Sequence, residues 1–273
     1  MMKIFVDSAD IEEIKEAYEW GIVNGVTTNP SLIKQALEKR KEKGENIDVK
    51  THISEILKIA RSTPVSLEVT EKKAKDMIPQ GIMLYRTFKS YSKNIVIKIP
   101  VSPAMKEESK NDYEGIKAIK GLSERKMLVN ATLVFTPEQA LLAAKAGATY
   151  VSMFAGRMDD YLKEKHGLKA KKEEYYPMEG INEKGRILED DGIVSGMDLV
   201  AQTVELLKQH GLKTEVLAAS LRNKRQVREA ALVGCHAATI PFKVLKELVM
   251  HPKTIEGMKK FSEDAPEDYK KIK

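Results

Sequence analysis

Apolar residues along this chain fall into two alternating rhythms. Short runs rich in Val and Ile recur at Lys3 to Asp7, Gly25 to Thr28, Val65 to Thr70, Asn94 to Ile99, Leu128 to Val134, Tyr150 to Phe154, Thr214 to Ala219 and Ala237 to Ile240. Between them lie segments of helical periodicity, among them Ala9 to Trp20, Pro137 to Ala146, Gly196 to His210 and Lys224 to Val233. Strand-length runs separated by helices are the pattern of βα units around a parallel sheet, and eight of them favour closure into a barrel over an open sheet. Local signals agree with these limits: Asp10 precedes Ile11-Glu12-Glu13, Thr136 precedes Pro137, and Gly147 and Gly211 follow the ends of periodic segments. The predicted fold is a single-domain (β/α)₈ TIM barrel over residues 1–273, with rim insertions after strands 4 and 6, at about 103–113 and 158–195.

Alternation along a barrel strand sends one parity to the helix layer and the other to the interior. In Ile95-Val96-Ile97-Lys98-Ile99 the odd positions are all apolar, so Lys98 is predicted to point inward near the strand's C-terminal end. The same test turns inward Asp7, Thr27, Asn29, Glu68, Asn130, Thr132, Ser152, Phe154 and Ser220. Polar residues from seven of the eight runs thus converge on the end of the barrel where such folds carry their active sites. A buried lysine would be costly unpaired, so Lys98 and Glu68 are expected to share hydrogen bonds.

Composition narrows the chemistry. The 273 residues are 42% hydrophobic and 32% charged, and no apolar run approaches the ~20 residues of a membrane span. The N-terminus turns polar too early for a signal peptide, and the single cysteine, Cys235, forms no internal disulfide; a cytoplasmic location is expected. The net charge of +6 comes from interleaved charges such as Glu38-Lys39-Arg40-Lys41-Glu42-Lys43, the pattern of a solvated helix face and not of a nucleic-acid surface. It suits anionic substrates such as sugar phosphates. The five histidines show no metal-ligand spacing and no glycine-rich dinucleotide fingerprint is present, so neither metal nor cofactor is expected. An ordinary lysine, of pKa ~10.4, is neutral only about one time in 2,500 at pH 7, and burial favours the neutral amine that attacks a carbonyl.

Several segments carry a family resemblance. Val26-Thr27-Thr28-Asn29-Pro30-Ser31, Ile97-Lys98-Ile99-Pro100, Asn130-Ala131-Thr132, Gln139-Ala140-Leu141, Gly147-Ala148-Thr149-Tyr150-Val151-Ser152, Gly156-Arg157-Met158-Asp159-Asp160 and Ala219-Ser220-Leu221-Arg222 resemble the signature segments of transaldolases. The similarity runs from Lys3 to about Lys259. It implies that Lys98 is a Schiff-base lysine, that Glu68 and Thr132 hold a catalytic water, and that Asp7 works on the substrate's hydroxyl side. It further implies that Asn29, Asn130 and Ser152 orient the hydroxyls and the lysine and that Arg157, Ser220 and Arg222 bind the phosphate; Thr27 and Phe154, inward by parity, are expected to line the same sugar site, and a homo-oligomer is expected. Ser102 stands where the family often has threonine, and the segment after Asp160 is longer than in short members. Fructose-6-phosphate aldolases share the fold and lysine but resemble this chain with glutamine at Glu68 and tyrosine at Phe154, so transaldolase is the favoured expectation. A non-catalytic sugar-phosphate-binding barrel is the remaining alternative.

Overall fold

The computed structural model describes residues 1–61, 63–105, 112–169 and 171–272. Its barrel strands are β1 (Lys3–Asp7), β2 (Gly25–Thr27), β3 (Val65–Glu68), β4 (Ile95–Pro100), β5 (Leu128–Val134), β6 (Tyr150–Phe154), β9 (Glu215–Ala219) and β10 (Ala237–Pro241); β7 (Asn182–Glu183) and β8 (Arg186–Ile187) form a small separate hairpin. The helices are α1 (Ile11–Glu19), α2 (Pro30–Glu42), α3 (Val49–Ala60), α4 (Ala74–Phe88), α5 (Glu114–Ser123), α6 (Pro137–Lys145), α7 (Ala155–Lys165), α8 (Gly196–Gln209), α9 (Lys224–Leu232), α10 (Phe242–Glu247), α11 (Pro252–Asp264) and α12 (Glu267–Lys270). The eight strands close in the order β1-β10-β9-β6-β5-β4-β3-β2, every pair parallel. This is a (β/α)₈ barrel, and the eight apolar runs are its strands to within a residue or two at each end.

Burial divides by parity. Val26, Leu67, Ile97, Ile99, Val129, Val151 and Ala218 belong to the continuous apolar layer between strands and helices, whereas Phe5, Val96, Tyr150, Leu217 and Ala237 form a separate plug in the barrel interior. The rings of Phe5 and Tyr150 meet edge-on at 5.9 Å between centroids, a favoured aromatic geometry. Gly25 on β2 makes room for this plug, because a Cβ there would lie 2.9 Å from the Phe5 ring. The plug seals the lower interior and leaves the C-terminal end of the strands to polar residues.

Helix ends follow their local chemistry. Asp10 caps α1 by accepting from the N–H groups of Glu12 and Glu13, and Thr136 caps α6 ahead of Pro137. Gly147 and Gly211 end α6 and the α8 segment with φ of +95° and +59°. Among the described residues no helix is long and apolar enough to cross a membrane.

The segment expected as an insertion from Met158 begins later. Residues 158–165 continue α7, with Met158 and Leu162 buried four residues apart; of the described residues, the irregular part is 166–169 and 171–195, which carries the β7–β8 hairpin. Of the other expected insertion, 103–113, residues 106–111 lie outside the described residues, as does residue 170 in the longer segment. The longer segment is fastened to α7 by Lys163, a buried ammonium that donates to the carbonyl oxygens of Lys171 at 3.1 Å and Glu174 at 2.9 Å. Lys163→Met keeps the aliphatic stem and removes both bonds. A loss of about 1.5–3 kcal/mol is expected, together with tryptic cleavage at Lys171 or Lys172 well ahead of global unfolding; an unchanged cleavage rate would show that other contacts hold the segment.

Candidate active site

The strand register builds the site. Glu68 pairs with Lys98 across β3 and β4, and Lys98 with Asn130 across β4 and β5, so three inward polar side chains lie at one level. Asp7 pairs with Thr27 across β1 and β2. Lys98 is 5% exposed, and its Nζ lies 3.1 Å from Glu68 Oε2 and donates to the Thr28 carbonyl oxygen at 3.2 Å. Asn130 donates to Ser66 Oγ at 3.3 Å and accepts from the Ser152 hydroxyl at 2.8 Å. Thr27 donates to Asp7 Oδ1 at 2.7 Å and also meets the Thr239 hydroxyl. Thr132 Oγ1 is enclosed without a hydrogen-bond partner, on a strand whose pairing with β6 shifts register between Ala131 and Val134 and whose Leu133 adopts φ +56°. An orphaned buried hydroxyl beside a strained residue is the kind of feature that marks functional sites.

A cavity of about 90 Å³ opens at Lys98, lined also by Asp7, Asn29, Ser152, Phe154 and Thr239. Asp7, Arg157 and Ser220 border both this throat and a rim cleft of about 870 Å³ that holds Arg222, Tyr161 and Lys172. The surroundings of the amine thus share walls with a rim cleft in which Arg157, Lys172 and Arg222 stand among the carboxylates Asp7, Asp160, Glu164 and Asp190. Burial raises the pKa of Asp7, against the opposing influence of the Lys98 charge, the Thr27 hydrogen bond and Arg157.

At the rim, Arg157 is exposed in the first turn of α7, with its guanidinium 5.2 Å from the centre of the Phe154 ring. Helix α7 begins at Ala155 with no side-chain cap, and Arg157 and Met158 of its first turn line the cleft. Ser220 holds φ +60°, and Arg222 bonds Asp160 Oδ2 through Nη2 at 2.6 Å while its Nε has no partner. Asn29 is engaged in capping α2 through Leu32 N–H and still lines the throat.

All twelve predicted site residues thus lie at the C-terminal end of the barrel. Lys98, Asp7, Thr27, Asn29, Ser152, Phe154, Arg157 and Ser220 line the throat, Glu68 and Asn130 join it through hydrogen bonds, Thr132 stands enclosed on β5, and Arg222 sits in the rim cleft. Three neighbours were missed. Thr239 on β10 and Ser66 on β3 share the inward parity of their strands and could have been found by it; Asp160, the ion-pair partner of Arg222, carried no such signal. Among the described residues no group of three His, Cys, Asp or Glu side chains is placed to hold a metal ion.

Close packing fixes the rim. A Cβ on Gly156 would lie 2.0 Å from the Ser220 carbonyl oxygen and 2.8 Å from Arg222 Nε, so only glycine lets α7 pass under this segment. Gly156→Ala is expected to cost about 1–3 kcal/mol through overpacking, read as a lower denaturation midpoint. Gly257→Ala on the exposed α11, where a Cβ meets nothing within 4 Å, should be neutral or stabilising. Equal effects at the two positions would contradict the packing constraint.

Comparison with known proteins agrees with this geometry. Residues 4–272 match the family described as Transaldolase/Fructose-6-phosphate aldolase. A probable transaldolase of Alkaliphilus metalliredigens is 40% identical over 96% of this chain and 97% of its own length. Probable transaldolases of Chlorobaculum parvum, at 42% over 97% and 98%, and of Geobacillus kaustophilus, at 41% over 96% and 98%, are similar to the same extent. The match spans the whole barrel together with the rim segment, and on that basis the chain belongs to the transaldolase/fructose-6-phosphate aldolase family.

Proposed function

We propose that this protein is a transaldolase, a transferase that moves a dihydroxyacetone unit from a ketose phosphate such as fructose 6-phosphate or sedoheptulose 7-phosphate to an aldose phosphate through an imine on Lys98. One observation carries this reading: the throat at the buried Lys98 amine and the rim cleft that holds Arg157 and Arg222 share Asp7, Arg157 and Ser220 as walls. A sugar phosphate that spans the two sets its carbonyl at the amine and its anion at the arginines.

In the proposed reaction the Lys98 nitrogen adds to the C2 carbonyl, and loss of water from the carbinolamine leaves a protonated imine. Glu68, 3.1 Å from the amine, takes and returns the protons of that step. The open hydrogen-bonding capacity of Thr132 Oγ1 suits it to hold the departing water. The raised pKa of Asp7 suits it to accept the proton of the sugar hydroxyl as the carbon–carbon bond breaks and its electrons pass into the imine. The three-carbon enamine stays on Lys98 until an acceptor aldehyde arrives, and the phenyl ring of Phe154 in the throat offers it no proton. Asn130, Ser152, Thr27 and Asn29 orient amine and hydroxyls. At the rim, Arg157, the Ser220–Arg222 segment and the uncapped start of α7 bind phosphate, where guanidinium groups match its oxygens in forked geometry. Assembly as a cytoplasmic homo-oligomer goes with this proposal; Ile255, Met258 and Phe261 on α11 form an exposed apolar face that supports it.

The test offers fructose 6-phosphate with and without erythrose 4-phosphate and measures transfer against release of free dihydroxyacetone. Transfer is expected to dominate, and Arg222→Ala should weaken use of the phosphorylated donor by about 1.5–3 kcal/mol while sparing unphosphorylated fructose. Release of dihydroxyacetone at the same rate without acceptor would instead identify an aldolase, and binding without either product a non-catalytic barrel.

A further inference from the structure

Beneath the rim lies a buried hydrogen-bond chain with no part in the steps above. Asp159 and Gln226 are 4% and 2% exposed. Asp159 Oδ1 accepts from the Gly196 N–H at the start of α8 at 2.7 Å, and Oδ2 accepts from Gln226 Nε2 at 2.7 Å. Gln226 Oε1 in turn accepts from the backbone N–H of Arg222 at 2.6 Å. The direction of this chain is forced. A backbone N–H can only donate, so the amide oxygen of Gln226 must face Arg222 and its NH₂ must face Asp159, which must accept at both oxygens.

We infer that Asp159, acting through Gln226, is a positioning residue for the anion-binding segment Ser220–Arg222. The inference rests on the phosphate reading of that segment and adds the group that holds it in place. Two features indicate that the segment needs holding: Ser220 sits at φ +60°, a conformation L residues rarely adopt, and its carbonyl oxygen lies so close over Gly156 that no side chain fits between. Asp160, the next residue on α7, binds the Arg222 guanidinium, so adjacent carboxylates fix the backbone and the side chain of the same arginine. Because α8 is tied in through Gly196, the chain also links the end of the 166–195 segment to the rim.

The chemistry explains why this position carries a carboxylate and not an amide. With asparagine, one oxygen still takes the Gly196 N–H, but the NH₂ then faces the NH₂ of Gln226, and turning Gln226 over only moves the donor clash to Arg222. One link is lost in either arrangement. Burial pushes the Asp159 carboxyl up to about 7, against the bonds from Gly196 and Gln226 and the charge of Lys163; Asp160 on the same helix raises it further. Burial, and secondly the Asp159 charge, raise the pKa of the buried Tyr176 phenol in the 166–195 segment.

Two near-isosteric variants test this, each assayed beside wild type with fructose 6-phosphate and with unphosphorylated fructose as donor. Asp159→Asn is expected to raise KM for the phosphorylated donor about tenfold, as for loss of one hydrogen bond to a charged group, with kcat and the use of free fructose little changed. Gln226→Glu places two carboxyl groups in contact, which restore the chain only when they share a proton. Its KM for fructose 6-phosphate, taken as a ratio to wild type, should grow as rising pH removes the shared proton. That pH profile also decides the matter if Asp159→Asn fails to fold. Equal losses with both donors, an unchanged KM, or a Gln226→Glu defect that is flat with pH would each overturn the positioning role. A wild type that uses both donors equally would remove the phosphate reading itself, and this inference with it.

Discussion

A primary amine enclosed in a protein interior must be surrounded by groups that tolerate it, and that requirement organises this barrel. Lys98 lies 3.1 Å from Glu68 and bonds the Thr28 carbonyl oxygen in an interior that also holds the apolar plug of Phe5, Val96, Tyr150, Leu217 and Ala237. Removing one member of such a pair typically costs ~3–5 kcal/mol, because the other is left buried and uncompensated. Strand register is what brings the two together, and the same register sets Asn130 beside Lys98 and Thr27 beside Asp7. The apolar plug below and the polar ring above are therefore two results of one alternation, continued around a closed sheet.

The rim obeys a different constraint, that of close backbone approach. Gly156 passes within reach of the Ser220 carbonyl oxygen, Gly196 packs against that of Ala155 at a distance no side chain could share, and Ser220 itself is held at positive φ. Strain concentrated at the mouth of a cavity is maintained by its surroundings, here the carboxylates of Asp159 and Asp160 and the amide of Gln226. The throat is thus held by strand pairing and the rim by side-chain hydrogen bonds between helices, so substitutions at the rim can alter anion binding while the amine's surroundings stay intact.

How much of this was legible in the sequence depends on the range of the interaction. The strands were, because Ile95, Ile97 and Ile99 alternate with Val96 and Lys98 and the period of two needs no partner to be seen. The same parity was open to view in Ala237-Ala238-Thr239-Ile240, yet Thr239 escaped because threonine among alanines reads as filler until Thr27 is found opposite it. The start of the rim segment was misjudged at Met158, since Asp159, Asp160, Lys163 and Lys165 mask the helix; Asp159 and Lys163 are in fact buried, each satisfied by groups distant in sequence. Gln226 was invisible for the same reason, its partners being Asp159, 67 residues away, and the backbone of Arg222.

The central claim is that the Lys98 amine forms the covalent bond to the sugar. Borohydride reduction of the protein in the presence of fructose 6-phosphate, followed by peptide mass analysis, tests it most directly. A dihydroxyacetone-derived mass on the peptide that contains Lys98, absent from Lys98→Met, is the expected result; labelling that persists unchanged in Lys98→Met, or falls on another lysine, would contradict it.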